Sequence, residues 1–102
     1  MKLLGWRKVV RGTLRGFADF ELAVENSHGL QILECPVNTN HNGPWVGFPG
    51  KPQLDRDGNL KRKPDGKPDY TAILKWADPE TRDRFSRAAV QLLLAKHPDA
   101  LE

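Results

Sequence analysis

A chain of 102 residues, 38% apolar and 28% charged, has room for one compact domain with a single modest core and none for a second. No apolar run approaches the roughly 18–20 residues that span a bilayer, and Met1 to Trp6 lacks the apolar core of a signal peptide, so the expected location is cytoplasmic. The one cysteine, Cys35, cannot form an internal disulfide, and with no Cys or His at ligand spacing beside it, it reads as a small half-buried side chain.

The net charge of +3 is unevenly spread. Lys2, Arg7, Lys8, Arg11 and Arg15 make residues 1–15 a +5 segment without an acid, whereas residues 16–50 carry Asp19, Glu21, Glu25 and Glu34 and no base. Residues 51–75 hold seven bases against four acids, and the remainder is close to neutral. Segregation of this kind gives a one-sided positive field that attracts phosphate backbones; ordinary solubilising lysines would leave the same trace.

Residues 1–12 read as a basic N-terminal arm. From Leu14 to Val24 apolar residues fall on even positions, with Arg15, Asp19 and Glu21 on odd ones, which predicts a long strand with one wet face; Phe17 is the aromatic exception on that face. After the turn residues Asn26-Ser27-His28-Gly29, Leu30 to Val37 reads as a second strand whose parity changes between Ile32 and Leu33, the mark of a bulge. A turn over 38–43 leads to a short third strand, Trp45 to Phe48, with Val46 and Phe48 inward and Trp45 outward.

The run Gly43 to Pro52 is glycine-rich and contains Lys51, yet it is no nucleotide phosphate loop. That motif needs a hydroxyl after the lysine and a helix to follow, whereas position 52 is proline and a proline-rich loop comes next. Residues 49–69 contain the turn pairs Asp57-Gly58 and Asp65-Gly66 and read as a long exposed basic loop with a small hairpin of its own. Tyr70 to Trp76 alternates again, giving a fourth strand. Asp78-Pro79 then caps a helix in which Phe85, Ala88, Ala89, Leu92 and Leu93 form the apolar stripe, and His97-Pro98 ends it ahead of a tail at 98–102. The expected fold is α+β: a four-stranded antiparallel sheet followed by one C-terminal helix, β-β-β-β-α, over a single domain spanning 13–97.

The long alternating strand, second strand, Asn-Gly turn, short apolar strand and Pro49-Gly50-Lys51, continued by an Asp-Gly loop, a fourth strand and one helix, resemble the septation regulator family of stage V sporulation protein G. The resemblance spans residues 13–95 and implies a small dimeric, nucleic-acid-binding, non-enzymatic protein. It puts a basic contact at Lys51 and, more loosely, at Lys61, Arg62, Lys63 and Lys67. The basic arm and the longer loop at 52–68 depart from the family pattern. Four strands followed by a helix is also similar in layout to single-strand-binding transcriptional coactivators, and proteins of this general type occur in phage and prophage genomes.

Independently of either likeness, Arg15, Phe17, Trp45 and Lys75 are candidates for one sheet face on which cations meet phosphates and aromatics stack on bases. Asp19 and Glu21 on that face would confine contact to one end. His28, His41 and His97 lie far apart beside turns and form no metal or catalytic spacing, and Ser27 and Ser86 lack a nucleophile's setting. The expectation is therefore no enzyme, no cofactor and no metal, but a binder of single-stranded DNA or RNA. A homodimer would form through Trp76, Phe85, Ala89, Leu92 and Leu93, since one helix on one sheet leaves an apolar face for a twin to cover. The alternative is a homodimeric protein-interaction module whose basic loop is merely soluble.

Overall fold

The computed structural model describes residues 1–102. Its main sheet has four antiparallel strands in the order β1 (Lys2–Arg11), β2 (Leu14–Leu22), β3 (Leu30–Asn40) and β4 (Gly43–Val46), and a helix, α1 (Pro79–Lys96), packs on one face. A separate two-stranded pair, β5 (Gly50–Pro52) with β6 (Tyr70–Ala72), carries the basic loop. The α+β class and the sheet-then-helix order are as the sequence indicates, but the membership of the sheet differs.

The fourth strand of the sheet is the N-terminal segment rather than residues 70–76. Residues 1–12 are no free arm: β1 pairs with β2 through Trp6↔Ala18 and Arg7↔Phe17, and Gly12, at φ 58°, turns the hairpin. An extra residue at Leu4 interrupts the pairing, so Leu3 and Trp6 both meet the core without strict alternation. Tyr70 to Trp76 is cut short at Ala72 because its partner is the ribbon strand β5; Ile73 and Leu74 are exposed. The third strand also ends early, at Val46, and Phe48 leaves the sheet to pack against Trp76 and Phe85, at centroid distances of 5.1 and 5.4 Å.

Ala18, Phe20, Ile32, Cys35, Val37 and Val46 from the sheet meet Phe85, Ala89, Val90 and Leu93 from the helix. Phe20 and Phe85 touch edge to face at 6.0 Å. Full burial of Phe20 alone stabilises by about 1.5–3 kcal/mol. The buried stripe is Phe85, Ala89, Val90 and Leu93, with Ala88 exposed and Leu92 only half-buried, a slight rotation from the stripe expected. Asp78 caps the helix: its Oδ1 accepts the Thr81 N–H at 2.7 Å and Pro79 takes the first turn, where a missing N–H costs nothing. The Thr81 hydrogen bonds, backbone first, hold the Asp78 carboxyl below its ordinary range.

Residues 98–102 fold back as turns and bury Ala100 against the core. Lys8 donates to the Asp99 carbonyl at 3.0 Å and Arg15 Nε to the Leu101 carbonyl at 3.2 Å. The radius of gyration, 14.9 Å, exceeds the roughly 13 Å of a compact chain this long. The excess fits the exposed ribbon, which pairs with none of the sheet strands. No helix is long and apolar enough to cross a membrane.

Candidate nucleic-acid interface

Two bulges decide which side chains share the open face of the sheet. Between Leu14↔Asn38 and Gly16↔Val37, β2 advances two residues against one on β3, leaving Arg15 unpaired in the ladder. Parity flips there. Leu14 joins Phe17 on the open face, while Arg15 turns to the helix side, where its guanidinium donates to the carbonyls of Leu101, Gly12 (2.7 Å) and Leu14 (3.0 Å). Arg15 thus ties down the C-terminal turns and is not on the face of Phe17, contrary to the sequence expectation.

The second bulge is the one indicated at Ile32–Leu33. Between Ala18↔Cys35 and Phe20↔Ile32, β3 has one residue more than β2, and Glu34 adopts φ 60°. A non-glycine residue in the left-handed region is uncommon. Its backbone N–H donates to Asp19 Oδ1 at 2.8 Å, and its side chain reaches Arg7 Nη2 at 2.6 Å. Arg7 in turn lies over the Phe17 ring, 5.1 Å from its centroid. Phe17 is therefore part of a small cation–π and ion-pair unit rather than a bare stacking platform.

Three depressions adjoin one another along the ribbon. A groove of about 800 Å³ lies between the open face and the ribbon, lined by Phe17, Glu34 and Pro36 on one side and Lys67, Tyr70 and Leu74 on the other. Phe48, Ala72 and Leu74 separate it from a hollow of about 520 Å³ in which Trp45 and Lys75 sit beside Trp76 and Arg82. Thr71 borders both the groove and a shallower hollow on the far side, where Lys51 and Lys61 stand beside Gln53. Trp45 and Lys75 do share a site, although Lys75 lies beyond the end of β6.

The ribbon has an unusual skeleton. Leu54 bridges Leu60 and Arg62 bridges Pro68, making two short lobes beyond the β5–β6 pair. At their junction the Gln53 N–H donates to the Asp69 carbonyl, Asp69 N–H to Lys61, and Lys61 N–H to Gln53, at 2.8, 2.8 and 2.9 Å. Three hydrogen bonds close a ring. The lobes end in turns with Gly58 at φ 81° and Gly66 at φ 86°, which glycine adopts without strain. Asp55 accepts from the Asp57 and Asn59 amides and Asp65 from the Lys67 amide. These acids serve the turns, and none of Lys51, Lys61, Arg62, Lys63, Lys67 or Lys75 belongs to any of the three ion pairs in the chain. All six cations are exposed.

The expected dimer residues need correction too. Phe85, Ala89 and Leu93 are buried against the chain's own sheet, so they are not available to a second subunit. Trp76 and Leu92 are half-buried, Trp76 through its contacts with Phe48 and Phe85. Sequence reasoning missed Glu34 and Tyr70 as groove components, and Arg7 as the partner of Glu34 and Phe17; the parity change at Ile32–Leu33 was the available signal for Glu34. Burial first, and then the Asp19 charge, push the Cys35 thiol up to about 12. It remains a neutral thiol and packs as a small apolar side chain.

Comparison of the chain with family models, curated proteins and solved structures gave no match.

Proposed function

We propose that the chain is a small non-enzymatic protein that binds single-stranded DNA or RNA along the three adjoining depressions. One observation carries this reading: each depression holds an exposed cation free of any ion pair, Lys51 with Lys61, Lys67, and Lys75, and the larger two also hold aromatic side chains. Cations alternating with aromatics along a trough suit a flexible polyanion whose bases can be splayed out, because lysines take phosphates while rings take base faces. Arg62 and Lys63 extend the positive surface onto the lobe closed by the Arg62–Pro68 bridge. The reading agrees with what the resemblance to septation regulators implies.

The protein acts as a homodimer in this proposal, and the same feature supports the alternative of an interaction module. The core cluster has only eleven residues, while Leu4, Leu30, Leu33 and Ile73 remain exposed. A chain of this size with so thin a core gains from a partner. Fluorescence anisotropy with labelled single-stranded DNA and RNA, over a salt series, tests the main reading. Replacing Lys51, Lys61, Arg62, Lys63 and Lys67 together by Ala should weaken binding and flatten its salt slope, since each phosphate contact releases about one counterion. A parent protein that binds neither polymer at low salt leaves the interaction module as the better account.

A further inference from the structure

The groove's one carboxylate is hard to reconcile with a surface that merely attracts phosphates. Glu34 sits at a bulge, a device that re-aims a side chain, and at a backbone angle non-glycine residues seldom adopt. Asp19 holds its amide, Arg7 holds its side chain, and the carboxylate borders the same groove as Phe17, Pro36 and Tyr70. Arg7 offsets the negative charge, so a phosphate strand is not repelled. One Arg7 contact leaves most of the carboxylate's roughly four acceptor positions open.

Resting on the nucleic-acid reading above, we propose that this groove reads an unpaired guanine, with Glu34 accepting hydrogen bonds from the base's N1–H and N2 amino group. Guanine alone presents two adjacent donors on its Watson–Crick edge, matching the two oxygens of an acceptor-only carboxylate. Adenine and cytosine each offer one amino group beside a ring-nitrogen acceptor, and thymine and uracil offer one N–H between two carbonyls; each sets a lone pair against the carboxylate. The groove's 800 Å³ falls within the about 300–1,000 Å³ of small-ligand sites. Tyr70 and Pro36 supply apolar surface for the base and Lys67 a cation for its phosphate. Asp19 acts as a positioning residue, because it holds the bulge that aims Glu34.

The test measures anisotropy of the full chain with a short labelled oligo(dT), the same oligomer carrying one central dG, and a third with hypoxanthine in place of that guanine, which lacks the N2 amino group. The dG oligomer should bind about tenfold more tightly than oligo(dT), the order of discrimination given by a good bidentate pair, and hypoxanthine should lose much of that gain. Glu34→Gln should abolish the preference, the dG oligomer then binding the variant no more tightly than oligo(dT) does. Equal binding of all three oligomers overturns the guanine inference and leaves the single-strand reading standing. A preference that survives either hypoxanthine or Glu34→Gln also overturns it, and no binding to any oligomer or to its RNA counterpart overturns both readings. The hypoxanthine arm needs no variant, so a misfolded Glu34→Gln protein would not rescue the idea.

Discussion

The sheet with its helix and the ribbon at 49–75 are shaped by different forces. In the first, side chains decide: Phe20, Val37 and Leu93 are wholly buried, and the strands are held in register by what they cover. In the second, no residue is buried, and the backbone decides through glycine turns, aspartate caps and the ring of bonds among Gln53, Lys61 and Asp69. A surface built by the backbone can change its side chains freely. That is where a sequence can place many cations without disturbing its core.

The sharpest way to break this contrast is to cut into each region. Leu93→Ala should cost about 2–5 kcal/mol in chemical denaturation, the range for large buried aliphatic truncations. The five-base ribbon variant should move the same midpoint by no more than about 0.5 kcal/mol. A comparable loss in both would show that the ribbon is part of the cooperative core. Next in size, Gly16→Ala should cost about 1–3 kcal/mol by overpacking, because an added Cβ would meet the Trp6 ring and the Arg7 carbonyl. Gly66→Ala meets no atom and pays only for its left-handed backbone, about 1–2 kcal/mol. That cost should appear as faster amide exchange in the lobe between Arg62 and Pro68, with the global midpoint unmoved.

For binding, Trp45→Ala should weaken single-strand affinity by about 1–3 kcal/mol with little change in salt slope, the signature of lost stacking. Phe17→Ala should lose less, since Arg7 already covers its ring. The last effect concerns pH and shows only in alkali. The Cys35 thiol is raised from 9.0 to about 12 in the fold, so its contribution is fully present below pH 9 and is lost as pH climbs toward 12, where the unfolded chain gains by ionising. Cys35→Ala should remove that alkaline slope in urea titrations; an unchanged slope would assign it to another group.

The parts of the fold visible in the sequence are those where one side-chain period runs uninterrupted. β2 shows over most of its length because Gly16, Ala18 and Phe20 alternate with Phe17 and Asp19, and the helix start shows because Asp78-Pro79 has a local chemical meaning. β1 was hidden by the extra residue at Leu4 and by its charges, which made a paired strand look like a solvated arm. Tyr70 to Trp76 misled in the opposite sense, its alternation running past the point where its partner strand ends. For the site, Lys51, Lys67, Lys75 and Trp45 were legible as exposed types in turn-rich or outward positions. The Arg15 reversal and the Arg7–Phe17–Glu34 unit were not, because they depend on how two bulges shift parity across neighbouring strands.

The ring of bonds at the root of the ribbon has a consequence for motion. Each of its three residues both gives and receives one bond, so opening either lobe takes a bond from the root of the others. The Gln53, Lys61 and Asp69 amides should therefore exchange with solvent at one shared rate, while the amides at the lobe tips exchange independently and faster. The cations on both lobes would then stay at fixed mutual spacing for as long as the ring is closed, and lose that spacing together when it opens.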